Sequence, residues 1–160
     1  NAAVYNKRGK IILYKVNKAE DYSHTGWASI NPNRFEKTIY EKDYIEETVQ
    51  GMPLMDIIRD NNFKKVDLLQ IDTEGYDADV IAMFDFDYYC PILIQYEHIH
   101  LSNEQYIVTS KLLESKNYLL IKGKNDVMAV RRDRLNPVFL LFYAIIRLKD
   151  SFVSIVLNNI

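Results

Sequence analysis

The chain has 160 residues, 48% of them hydrophobic, with a formal net charge of −2. That is enough apolar material for one core, so a single soluble domain or most of one is expected. The charge excludes a general electrostatic pull toward nucleic acid, because Lys and Arg are dispersed apart from Arg131, Arg132 and Arg134. The single cysteine, Cys90, has no partner for an internal disulfide. It precedes Pro91 in an apolar setting, which predicts a packing role and a reduced, cytoplasmic compartment.

Ala3 to Tyr5 and Lys10 to Val16 read as two strands of a hairpin, with Asn6-Lys7-Arg8-Gly9 at its tip. Residues 17–48 are polar and aromatic, with His24, Gly26, Trp27 and an Asn31-Pro32-Asn33 turn signal. They predict a long excursion before a short strand near Glu47 to Val49. Leu54, Ile57 and Ile58 then mark a short helix, with Pro53 near its first turn and Asn61 and Asn62 ending it. Leu68, Leu69 and Ile71 form the body of a buried strand that ends at Asp72 and Glu74, where Gly75 lets the backbone turn. Val80, Ile81 and Phe84 recur at helical spacing, while Asp77 and Asp79 fall in the first turn and suit the helix dipole.

Ile92 to Glu97 forms a second buried strand. Ser102 and Gln105 make a capping box for a helix through about Lys116, with Asn117 as its left-handed stop. Tyr118 to Lys122 and Val127 to Arg131 close a hairpin around Gly123-Lys124-Asn125-Asp126. Alternating strand and helix followed by a hairpin predicts an α/β fold over residues 1–134. Residues 135–160 form an apolar tail. From Pro137 the run PVFLLFYAII is apolar all round, too short to span a bilayer, and broken by Arg147, Lys149 and Asp150 before Phe152 to Leu157. It predicts a helix packed on the sheet or on a second copy in a homo-oligomer. A membrane surface engaged through residues 137–157 is the alternative.

Open α/β sheets bind ligands beyond the carboxyl ends of their strands, which directs attention to residues 72–76. Glu74 in the turn can hold substrate or receive a proton, or can simply complement the helix dipole. Parallel pairing of the two buried strands brings Glu97 within reach of Asp72. His98 and His100 follow at once, and either imidazole can act as a general base near neutral pH. Asp72, Glu74, Glu97 and His98 do not have a spacing that demands a metal, so none is expected. His24, Trp27 and Tyr76 offer aromatic faces for an acceptor pocket, or plain packing.

The run VDLLQIDTEGYDADVI, residues 66–81, closely resembles the signature D-L-L-K-I-D-V-E-G-x-E of the FkbM family of S-adenosylmethionine-dependent methyltransferases, with Gln70 in place of the usual Lys. Upstream, NAAVYNKRGKIILY is similar to the family's Asn-x-Ala segment and following hairpin, and ETVQGMPLMDII to its V-x-T-L-D-D-L approach. Downstream, PILIQYEH resembles the next strand, which commonly ends in Glu. The resemblance covers residues 1 to about 130, and its specific part is the central block.

That resemblance implies a class I, Rossmann-like methyltransferase sheet, S-adenosylmethionine as cofactor, and a hydroxyl of a sugar or other small metabolite as acceptor. It points to Asp72, Glu97 and His98 for catalysis, to Asp72, Glu74 and Gly75 for the cofactor, and to Trp27, Tyr76 and His100 for the acceptor. A class I enzyme also needs a Gly-rich loop after its first strand. The five glycines here form no Gly-x-Gly pattern. The family pattern places that loop before Asn1, so the chain is expected to be the C-terminal part of the domain, inactive alone, without roughly the first three strands of seven. The competing reading is a non-catalytic interaction or membrane-associating module built on the same fold.

Overall fold

In the computed structural model, which describes residues 2–137, the longest strand pairing is not the one that local turn chemistry favours. Strand β2 (Gly9–Val16) runs antiparallel to β4 (Tyr44–Met52) through eight register pairs, from Gly9 opposite Gly51 to Val16 opposite Tyr44. Strand β1 (Ala3–Val4) pairs in parallel with the far edge of β4, Ala3 with Gly51 and Val4 with Met52. The expected hairpin between residues 3–5 and 10–16 therefore does not form. Two-residue β1 offers β2 a far shorter ladder than β4 does, so the non-local partner wins. Gly51 sits where the strands crowd: a Cβ there would lie 3.1 Å from the Ile11 side chain and 3.2 Å from that of Tyr5.

A short strand β3 (Ala28–Ser29) lines the other edge of β2, giving the order β1-β4-β2-β3. The strand expected near Glu47 to Val49 is thus nine residues long. Its length is masked in the sequence by Glu46, Glu47 and Gln50, which lie exposed. The excursion that precedes it carries two 3-10 turns, Tyr22–His24 and Pro32–Phe35, the second capped by Asn31 Oδ1, which accepts from the Asn33 amide at 3.0 Å. Phe35 and Tyr40 are buried, and Phe35 stacks on Tyr44 at 5.2 Å. The excursion therefore has a small aromatic core of its own.

The second sheet follows expectation more closely. Strand β5 (Leu68–Ile71) runs parallel to β6 (Leu93–Glu97), and the hairpin of β7 (Tyr118–Lys122) and β8 (Asp126–Arg131) adds antiparallel, giving β5-β6-β8-β7. Period-two alternation puts Leu69, Ile94, Ala129 and Leu120 in one buried row and Ile71, Tyr96 and Val127 in the next. Helix α1 (Leu54–Asp60) adds Ile58 to this core, α2 (Asp77–Ala82) adds Val80 and Ile81, and α3 (Asn103–Ser115) adds Leu113. Each such fully buried aliphatic side chain contributes about 1.5–3 kcal/mol.

Helix boundaries obey their local signals. Pro53 stands at the N-cap of α1, Ser102 and Gln105 form both bonds of the capping box of α3, and Asn62 and Asn117 adopt φ of 58° and 69° beyond the two helices. Cys90 departs from expectation: it is exposed, with Phe86, Tyr89 and Pro91 filling the core around it. The described residues thus form a mixed α/β fold with two four-stranded sheets. The opposite face of the second sheet leaves Leu68, Ile121 and Met128 exposed, and β5 has no outer strand neighbour among the described residues. No helix among the described residues is long and apolar enough to cross a membrane. The helix expected from Pro137 onward lies outside the described residues, save for Pro137 itself.

Candidate active site

At the carboxyl end of β5 the chain reverses through two consecutive residues of positive φ, Glu74 at 52° and Gly75 at 102°. Glycine accepts that conformation freely, whereas for glutamate it costs about 1 kcal/mol or more. Two contacts from the excursion of the first sheet hold Glu74 there. The buried Ser29 hydroxyl donates to the Glu74 carbonyl at 3.2 Å, and Arg34 Nε donates to Glu74 Oε2 at 2.6 Å, with a terminal guanidinium nitrogen 2.5 Å from the same oxygen. Both side chains of this ion pair are mostly buried, at 13% and 14% exposure, so solvent screens it little.

Asp77, fully buried, braces the turn from below. Its Oδ2 accepts from the Thr73 hydroxyl at 2.8 Å and from the Thr73 amide at 3.3 Å, while its Oδ1 accepts from the Glu97 amide at 3.1 Å. One carboxylate thereby ties the β5–α2 turn to the end of β6.

The two strand ends and the loop after β6 meet at His100. Its Nε2 lies 3.4 Å from Glu97 Oε2 and 3.5 Å from Glu74 Oε2, and its side chain packs over Gly75. Glu97 Oε2 is buried and satisfied by no hydrogen bond. Burial, reinforced by the charges of Glu74, Asp72 and Asp77 and opposed by Arg34, pushes the Glu97 carboxyl up to about 7. Asp72 is raised as well, first by burial and then by Glu74, Asp77 and Asp126. His100 is pulled down by burial and by Arg34, against the carboxylates around it. A carboxyl raised to about 7 and an imidazole lowered from its ordinary value thus face each other at 3.4 Å, a geometry suited to general acid–base work. Glu74, Glu97 and His100 each place one ligand atom within 4.8 Å of the others, a metal-like spacing, but Arg34 already faces Glu74 Oε2.

The model of the methyltransferase FkbM domain matches residues 1–122, three quarters of the chain. The chain belongs to the FkbM methyltransferase family. No curated protein and no solved structure matches it. Membership makes methyl transfer the general reaction class, and the matched span includes every residue of the cluster just described.

In this FkbM domain the remaining sequence-derived candidates are distributed unevenly. His98 turns to the β7–β8 hairpin, with its Nε2 3.3 Å from the Gly123 carbonyl and its ring 5.7 Å from Tyr106. His100 alone of the two histidines joins Glu74 and Glu97. Trp27 packs on His24 at 4.2 Å and on Tyr40 at 5.9 Å, and the Arg34 guanidinium lies 4.8 Å over its ring, so Trp27 backs the arginine. Tyr76 stacks on Tyr5 at 5.9 Å and lines a cavity of about 340 Å³ shared with Glu74, Gly75 and His100. Arg34 and Ser29 escaped the sequence reading, because nothing in a polar, aromatic loop marks a partner 40 residues downstream.

Proposed function

We propose that this chain forms the acceptor side of an S-adenosylmethionine-dependent O-methyltransferase acting on a hydroxyl of a sugar or other small metabolite. The supporting observation is the Glu97–His100 pair, a proton acceptor whose carboxyl sits at about 7 beside a polar cavity. A base with a pKa near the working pH is the most effective at drawing a proton from a hydroxyl in the transition state. The pair would take the acceptor's O–H proton while the methyl carbon passes from the sulfonium sulfur to the acceptor oxygen, the S–CH3 bond electrons staying on sulfur as the neutral thioether leaves. Arg34 holds Glu74, Asp77 holds Glu97, and together they fix the pair's position.

S-adenosylmethionine, when bound, supplies an electrophilic methyl group on a sulfonium. The donor set suits such a cation. Glu74 and Asp77 raise both Asp72 and Glu97 here, Arg34 opposes the rise at Glu97, and the raised Asp72 carboxyl gains from any approaching positive charge. Asp72 and the Glu74–Gly75 turn are the residues that would hold it, Asp72 foremost because Arg34 engages Glu74. The open edge of β5 and the uncovered Leu68 favour a class I sheet completed by strands from outside the described residues.

Methyl transfer from labelled S-adenosylmethionine to hydroxyl acceptors by the full-length protein tests the reading. Glu97→Gln is expected to lower transfer by about 10²-fold or more, with cofactor binding retained. Unchanged turnover in that variant would overturn the role of the pair.

A further inference from the structure

The cavity beside the Glu97–His100 pair has a chemistry more definite than its family membership requires. Its walls come from three places: the Ser29 to Arg34 segment, the Glu74 to Asp79 turn and first helical turn, and His100 with Gln105. At about 340 Å³ it lies at the lower end of the roughly 300–1,000 Å³ typical of small-molecule sites, which suits a ring-sized molecule over an extended chain.

The hydrogen bonds already made inside it decide what remains to be offered. Asn31 Oδ1 accepts from the Asn33 amide and Gln105 Oε1 accepts from the Ser102 amide, so both side-chain NH2 groups are left as donors. The side-chain amide of Asn33 makes no hydrogen bond among the described residues, and the carboxylate of Asp79 has no ion-pair partner among them. Arg34, the cavity's one arginine, is neutralised by Glu74. The lining thus offers paired donors and acceptors and one uncompensated negative charge. Hydroxyl groups, which donate and accept at once, satisfy the first feature. The second repels an anion.

Building on the methyltransferase reading, we propose that this cavity is the acceptor site and selects by charge. It takes an uncharged or cationic polyhydroxylated ring and rejects carboxylated or phosphorylated ones, with Asp79 the residue that discriminates and Asn31, Asn33 and Gln105 the residues that orient the ring hydroxyls toward His100.

The test uses the full-length protein and a panel of neutral methyl hexosides with their matched methyl uronides, bound without cofactor and followed by ligand-observed NMR. Neutral hexosides are expected to bind about 5-fold tighter than the uronides of the same configuration, the scale of one solvent-exposed charge contact. Asp79→Asn is expected to bring that ratio close to one. Independently of any variant, raising the salt from about 0.01 M to about 1 M should erode the ratio in the unaltered protein, since the Debye length falls from about 30 Å to about 3 Å. Uronides binding as well as hexosides, a ratio that survives both Asp79→Asn and high salt, or no binding across the panel each overturn the proposal. Methyl transfer measured in parallel separates the two readings. Transfer without charge selection sinks the cavity assignment alone, and charge selection without transfer to any hydroxyl sinks the methyltransferase reading alone.

Discussion

Glu97 carries opposite consequences for stability and for activity. Its carboxyl is raised from an ordinary 4.5 to about 7, so between those values the folded chain binds more protons than the unfolded one. Stability from this group is then fully present below about 4.5 and is lost as the pH rises through about 7; Asp72, also raised, adds the same sign. Activity should run the other way, rising as the pair loses its proton. Arg34 sets where that limb falls, because its charge opposes the rise in Glu97 and lowers His100. Arg34→Ala is expected to move the acidic limb of the pH–rate profile upward and to destabilise by about 2 kcal/mol, since Glu74 is left mostly buried and unpaired. Arg34→Lys, which keeps the charge, should restore the limb even if it binds Glu74 less well. An unmoved limb in Arg34→Ala would leave the arginine as a purely structural clamp.

Between elements, one carboxylate carries the joint of β5, α2 and β6. Asp77→Ala removes the acceptor of the Thr73 hydroxyl, the Thr73 amide and the Glu97 amide, and a loss of about 2–3 kcal/mol in denaturant unfolding is expected. Asp77→Asn keeps an oxygen for the Glu97 amide but deletes a negative charge that raises both Glu97 and His100. Its pH–rate limb should therefore move downward, opposite to that of Arg34→Ala. Limbs shifting in the same direction would contradict the electrostatic account. This scale also shows what the sequence reveals. Elements with local signals were legible: the capping box of α3, the left-handed Asn117, the β7–β8 hairpin and the apolar body of β5. The parallel pairing of β1 with β4 was not, because its register is set across nearly 50 residues by a competition between ladders. At the site, Asp72, Glu74 and Glu97 could be read from strand ends. That His100 and not His98 lies against Glu74 and Glu97 could not, since it depends on how the loop after Glu97 turns, through the His98 amide bonded to Asn125 and the Leu101 amide bonded to His98.

For the molecule as a whole, the second sheet is covered on one face by α1, α2 and α3, while β5, which carries the site, is its edge strand. A strand holding Leu68 half exposed, with no outer neighbour among the described residues, is poorly placed to build both halves of a ligand site alone. The described residues supply carboxylates, a histidine and a polar cavity, yet no Gly-x-Gly turn of the kind that lets a backbone approach a nucleoside-bearing cofactor. Residues 1–160 on their own are therefore expected to bind S-adenosylmethionine weakly or not at all, and the full-length protein to bind it tightly. Titration calorimetry on the two, with hydrogen exchange on β5 in each, decides the matter. In the full-length protein the β5 amides that face away from β6 should become protected, as a new strand pairs with them. Equally tight binding by residues 1–160, or β5 amides that exchange alike in both, would show that the cofactor site is complete within this chain and that its edge strand needs no further partner.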